Sequence, residues 1–129
     1  MRLLLDTHVV LWALSEPARL GTEARALLGR ASVDVAVSAA TVWEVAIKAG
    51  LGKLRLPGSV AGWLIPAINE LEVEWLEVTA ANGAAVESLA LHHRDPFDRL
   101  LIVQAMAGGW TIVTADDAFV NYGVPLIRT

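Results

Sequence analysis

Residues 3–14 read LLLDTHVVLWAL, and the interruption of this apolar run by Asp6 decides the fold. The run before the acid is short and apolar and looks like a first strand. The composition then changes from strand-like to helix-like immediately after the acid. Arg2–Leu5 is predicted as a first strand and His8–Ser15 as the helix that follows, ending near Pro17.

The remainder of the chain repeats this alternation. Asp34–Val37, Trp75–Val78 and Trp110–Val113 have strand-like length and β-branched or aromatic content, and Pro125–Ile127 is expected to close the chain as a short strand. Between them, helices are predicted over Thr22–Arg30, Ser38–Ala49, Val60–Leu71, Ala81–Leu91 and Pro96–Ala107. Ser38 and Asp95 suit the capping positions, and Pro96 suits the first helical position. Pro66 should kink its helix or mark where it begins. Strands alternating with helices imply a three-layer α/β/α sandwich around a mainly parallel sheet, with residues 1–129 forming one domain. In such a sheet ligands bind beyond the carboxyl ends of the strands, where the strand order reverses. The order 3-2-1-4-5 would place the residues that follow the first and fourth strands in one crevice.

Bulk properties narrow the function. The 129 residues are 55% hydrophobic, enough for a substantial core, and contain no cysteine, which excludes disulfides, thiolate metal sites and cysteine nucleophiles. The opening Met-Arg-Leu-Leu-Leu-Asp is too short an apolar run for a secretory signal, and a cytoplasmic location is expected. The longest uncharged stretch, Leu100 to Ala115, contains Gln104 and Gly108-Gly109 and falls short of the roughly 20 apolar residues of a membrane helix. A net charge of −4 argues against a protein that holds nucleic acid through a basic surface. Glu70, Glu72, Glu74 and Glu77 read as a solvated face. No nucleophile elbow or phosphate-cradling loop is present.

Against this background Asp6, Glu44, Asp98 and Asp116 stand out, because each is set in an apolar stretch: LLLDTHVVLWAL, SAATVWEVAI, DPFDRLLIVQAMA and the end of WTIVTA. Carboxylates seldom sit in such company without a partner. Gathered at one point they require a compensating cation, and all-oxygen ligands favour Mg²⁺ or Mn²⁺. That arrangement points to metal-assisted phosphodiester chemistry.

Each acid also has a local structural reading. Asp6 is placed to cap the helix that follows it, with Thr7 either supporting a carboxylate or starting that helix. Glu44 lies four residues before Lys48 in the favourable orientation for an ion pair. Asp98, three residues after Asp95, resembles part of a capping box. Asp116 could cap the next turn, with Asp117 as a rival acid and Thr114 facing the same way from the strand end. Lys48, Lys53 and Arg55 form a basic edge that suits either substrate phosphates or a solvated loop, and Arg99 is a candidate to compensate the acids. His8, His92 and His93 lack metal-type spacing. The adjacent pair His92-His93 is expected at a helix C-terminus.

In order, LLLDTHVVLWAL, SAATVWEVAIKAGLGKL, HHRDPFDRLLIVQA and IVTADDAF resemble the PIN domain, and within it the VapC-like toxins of toxin–antitoxin pairs. The resemblance spans Arg2 to Phe119. It implies a Mg²⁺- or Mn²⁺-dependent endoribonuclease with Asp6, Glu44, Asp98 and Asp116 as metal-binding catalytic acids. Thr7, Asp95, Thr114 and Asp117 would be supporting residues. RNA as substrate, a small cognate antitoxin and a homodimer belong to the same implication. Trp12 and Trp63, with Val9, Leu11, Leu14, Leu64 and Ile68, are candidates for an apolar surface that accepts the antitoxin. Two other classes compete. A phosphate-accepting signalling domain also has an acidic Mg²⁺ pocket, but it normally carries paired acids after its first strand and a late lysine, whereas no lysine follows Lys53. A catalytically silent interaction module is the other.

Overall fold

Leu3, Leu4 and Leu5 are all buried, and their side chains divide between two separate apolar clusters. Leu3 and Leu5 pack with Val9, Val10, Ala24, Val45, Leu64 and Ile68, whereas Leu4 packs with Leu101, Ile102, Ala105, Trp110 and Phe119. Strand alternation thus feeds two cores from three consecutive residues. Burial of one such leucine is worth roughly 1.5–3 kcal/mol.

The computed structural model describes residues 1–129. Five strands, β1 (Arg2–Leu5), β2 (Asp34–Ser38), β3 (Glu74–Leu76), β4 (Thr111–Thr114) and β5 (Leu126–Arg128), form one sheet in the order β3-β2-β1-β4-β5. Every strand pair is parallel, in accord with the predicted order and with the mainly parallel sheet expected. Leu5 is in register with Val37 of β2 and Val113 of β4, so β1, β2 and β4 end within one residue of one another.

The regular helices are α1 (Thr7–Ser15), α2 (Thr22–Leu28), α3 (Ala39–Gly50), α4 (Ile65–Glu70), α5 (Ala80–Ala85) and α6 (Pro96–Gly108). A wide turn, Val60–Leu64, precedes α4, and Pro66 falls in the first turn of the regular helix that follows. The proline therefore marks a start, as its missing N–H requires. Helix α6 is bounded by Asp95, which accepts from Phe97 N and Asp98 N, and by Gly109, whose φ of 70° lies in the left-handed region that favours glycine. No helix is long and apolar enough to cross a membrane.

Two sequence-based expectations fail here. The helix predicted over Ala81–Leu91 stops at Ala85 and continues only as a tight turn, Val86–Ser88. Its N-terminus is secured by reciprocal bonds between Thr79 and Asn82, and the following loop owes its path to a buried arginine described below. His92 and His93 consequently lie in that loop and not at a helix end. Of the candidates for an apolar docking surface, Val9, Leu64 and Ile68 are fully buried, whereas Leu11, Leu14, Trp12 and Trp63 are partly exposed and pack against the core.

A candidate acidic site at the carboxyl end of the sheet

The chain leaves β1 at Asp6 and β4 at Ala115-Asp116, and β1 and β4 are paired neighbours on the two sides of the topological reversal. Asp6 is buried and has two tasks. Oδ1 accepts from Val9 N at 2.9 Å, capping α1, while Oδ2 accepts the Thr114 hydroxyl from the end of β4. One carboxylate thus caps α1 and also meets the end of β4. Burial pushes its pKa up, partly offset by those two hydrogen bonds.

Glu44 reaches the same region from the middle of α3. It is 4% exposed, accepts from the Thr7 hydroxyl at 2.5 Å and from Lys48 Nζ at 2.5 Å. The ion pair with Lys48 exists, but its acid is buried while the lysine side chain is 38% exposed. A simple surface pair would leave both in solvent. The hydrogen bond from the lysine to Glu44 raises the pKa of Lys48. Helix α3 is aimed by its cap: Ser38 accepts from Ala40 N and donates to Gln104 Oε1 at 2.7 Å, and Gln104 donates to the Glu77 carbonyl. This buried bridge ties α3 to α6. The Thr41 hydroxyl, on the same side of α3 as Glu44, is buried without a hydrogen-bond partner.

Asp98 stands at the start of α6. The expected capping box does not form: Asp95 accepts from the backbone of Asp98, but the Asp98 side chain makes no reciprocal bond to Asp95. Its Oδ2 instead pairs with His93 Nε2 at 3.1 Å. Burial, then the charges of Asp95, Asp116 and Glu44, raise the pKa of Asp98 to about 7, with His93 acting in the opposite direction. Asp116 is exposed, and its Oδ1 caps the following turn by accepting from Ala118 N at 2.9 Å, while its own N–H donates to Thr114. Each of the four acids lies close enough to another to perturb its ionisation.

Other candidates are placed elsewhere. Asp117 pairs with Arg128 and its side chain is 87% exposed, so it does not join the group. Arg99 does not compensate the acids. Its buried guanidinium donates to the carbonyls of Val86, Leu89 and Ala90 and to the Tyr122 hydroxyl, holding the segment after α5 against α6. Lys48 is engaged with Glu44. Lys53 is exposed, and Arg55 lines a groove with His8, Trp12 and Arg19. His93, Tyr122 and Gln104 were not anticipated from the sequence. Proximity of His93 to Asp95-Pro96-Phe97-Asp98 was the available signal, but adjacent histidines at the supposed end of a helix concealed it.

As placed, no group of three or more carboxylate or imidazole side chains converges closely enough to hold an ion. The donor chemistry nevertheless fits a hard divalent cation. The four acids offer only oxygens, two of them are held above their ordinary pKa by burial, and Lys48 and His93 are the basic side chains in contact with them, beside the hydroxyls of Thr7 and Thr114.

A wholly parallel sheet whose reversal point is ringed by acids from both halves of the chain defines an acidic-site α/β protein. Residues 3–125 match the family model described as PIN domain, and the chain belongs to the PIN-domain family. A relative, Ribonuclease VapC22 of Mycobacterium tuberculosis (strain ATCC 25618 / H37Rv), is 32% identical over 113 residues, covering 88% of this chain and 85% of that protein. VapBC2 from Rickettsia felis, solved bound to a DNA fragment from its promoter, shares the fold with a TM-score of 0.67 at 17% identity, covering 99% and 98% of the two chains. DNA-bound VapBC from Salmonella typhimurium superposes with a TM-score of 0.70 at 15% identity, again over 99% and 98%.

Proposed function

We propose that this chain is a Mg²⁺- or Mn²⁺-dependent endoribonuclease and the toxin of a toxin–antitoxin pair. The reading is carried by one observation: a PIN-domain chain 32% identical to a ribonuclease brings Asp6, Glu44, Asp98 and Asp116 to the carboxyl end of its parallel sheet.

In this reading the four carboxylates hold the cation, Thr7 and Thr114 orient Glu44 and Asp6, and Asp95 secures the backbone that carries Asp98. When bound, a divalent cation supplies an acidified water and neutralises charge on the phosphate oxygens. The acids keep the approach negative, so a phosphodiester enters with its charge matched only when the site is loaded. Hydrolysis adds hydroxide to phosphorus and returns a proton to the departing 3′ oxygen, leaving a 5′-phosphate and a 3′-hydroxyl. The ribose 2′-hydroxyl is not needed as nucleophile. Lys48, Lys53 and Arg55 lie on or just after α3 and supply cationic contacts to flanking phosphates.

The same reading includes a small antitoxin protein and self-association. The groove between α1 and the segment 54–57, with Leu11, Trp12 and Leu56 among its walls, offers apolar anchoring for the former.

Cleavage of single-stranded RNA by the purified chain tests the activity. Cleavage should require Mg²⁺ or Mn²⁺, cease with EDTA, and fall at least about a hundredfold in Asp6→Asn, Glu44→Gln, Asp98→Asn and Asp116→Asn. Full activity in Asp6→Asn rejects the assignment. If the neighbouring open reading frame encodes a small protein, co-expression with it, followed by size-exclusion chromatography and the same assay, tests the partner.

A second reading, a silent interaction module, is favoured by the lack of a converged acidic trio. Absence of Mn²⁺ binding at millimolar concentration would select it.

A further inference from the structure

Behind Asp98 lies a chain of hydrogen bonds that the acids do not require for their own burial. Tyr122 is buried at the end of the turn 117–122, and its hydroxyl oxygen accepts from Arg99 Nη1 at 3.0 Å and from the His93 backbone N–H at 3.2 Å. The same oxygen stands 2.7 Å from His93 Nδ1, and His93 Nε2 stands 3.1 Å from Asp98 Oδ2. His92 packs edge-on against the Tyr122 ring with centroids 4.8 Å apart, bracing it from a further side.

A phenol oxygen has two lone pairs and one hydrogen. Two N–H groups already occupy its accepting capacity, so a third donor, a protonated Nδ1, would find no lone pair. The hydroxyl hydrogen has two acceptors within reach, the His93 carbonyl at 3.5 Å and Nδ1 at 2.7 Å, and the shorter contact is the stronger. The tyrosine therefore donates to Nδ1. With Nδ1 bare, the imidazole hydrogen is on Nε2, directed at Asp98.

We propose that Tyr122 and His93 are positioning residues: Tyr122, anchored by the buried Arg99, fixes His93 as its Nε2–H tautomer, and that N–H holds Asp98 by Oδ2 while Oδ1 is left without a hydrogen-bond partner. The imidazole orients the acid and does not itself touch substrate or ion. The inference rests on the reading of Asp98 as a site acid.

The test uses the full chain. Two-bond ¹H–¹⁵N correlation of the imidazole nitrogens at about pH 8, above the ordinary histidine range, reads the tautomer in the metal-free protein. His93 should show a bare Nδ1 and a protonated Nε2; protonation at Nδ1, alone or with Nε2, overturns the inference. Tyr122→Phe removes the hydrogen facing Nδ1 and should release His93 into a mixture of tautomers. Persistence of the pure Nε2–H form overturns the role of Tyr122.

Binding of Mn²⁺ alone, followed by electron paramagnetic resonance, reads the consequence. His93→Leu should weaken it about 10–100-fold, the usual cost of losing a group that orients a ligand. His93→Gln, whose side-chain amide reaches the place of Nε2, should weaken it much less, and equal losses in both variants overturn the proposal. A wild-type protein that neither binds Mn²⁺ nor cuts RNA removes the nuclease reading and this consequence for Asp98, while the tautomer measurement still decides the Tyr122–His93 assignment.

Discussion

Thr114 donates its hydroxyl hydrogen to Oδ2 of Asp6, joining the ends of β4 and β1 across 108 residues of sequence. The bond lies between two buried residues, so its loss leaves a buried carboxylate oxygen short of a hydrogen-bond partner. Thr114→Val retains the shape and deletes the hydroxyl. It should destabilise the metal-free protein by about 1–3 kcal/mol in urea denaturation, whereas Thr114→Ser should keep most of the stability. Equal midpoints for Thr114→Val and wild type would mean that Asp6 is satisfied without this bond.

Asp98 makes stability depend on pH in a definite direction. Its folded pKa of about 7 lies above the ordinary value of 3.8, so the folded chain binds a proton that the unfolded chain has released. The contribution of this residue is therefore fully present below about pH 4 and is lost as pH rises through about 7. Asp98→Asn removes that dependence. Metal-free Asp98→Asn should melt above wild type at pH 8, with the gap closing towards pH 4.5. A gap that widens on acidification would reverse the sign assigned to Asp98.

Asp95 separates capping from electrostatics. Asp95→Ala deletes the acceptor for Phe97 N and Asp98 N, and should cost about 1 kcal/mol of stability. It also removes the largest like-charge contribution to the raised pKa of Asp98. The Asp98 titration midpoint, followed by carboxyl carbon NMR, should move down in this variant. An unmoved midpoint would remove Asp95 from the causes of the elevation and leave burial with Asp116 and Glu44.

Lys48 occupies the position of positive charge beside Glu44, 2.5 Å from Oε2. An arriving cation has to compete with that ammonium. Lys48→Met should lower the melting temperature of the metal-free protein slightly, as expected for a partly exposed pair. It should also enlarge the stabilisation that Mn²⁺ produces. A smaller Mn²⁺ response in Lys48→Met would show that the lysine supports the ion.

Arg99 is predominantly a structural cation. Its guanidinium spans the carbonyls of Val86, Leu89 and Ala90, so Arg99→Lys keeps the charge but cannot reproduce the fork. The substitution should destabilise by about 1–3 kcal/mol and accelerate amide hydrogen exchange in segment 86–93. Unchanged exchange there would disconnect Arg99 from the path of that loop.

The alternation of strands and helices and the parallel sheet it implies were legible in the chain because strand and helix periods are local properties; the order 3-2-1-4-5 followed only from asking which arrangement brings the residues after the first and fourth strands into one crevice. Asp6, Glu44 and Asp98 stood out as candidates because an acid in an apolar stretch is costly to bury, and that cost is visible without coordinates; Asp116 stood out by the same pattern but lies exposed. What each acid touches was not. Whether Glu44 meets Thr7, whether Asp98 caps its helix or meets His93, and whether Arg99 faces acids or carbonyls depend on partners remote in sequence or on loop paths that periodicity does not encode. His93 shows the difference most clearly. Its neighbours predicted a helix end, but the helix stops at Ala85, the loop is drawn in by Arg99, and the imidazole is delivered between Tyr122 and Asp98. Local sequence determined which groups are expensive to bury, and only the packing of distant elements decided which partners meet that expense.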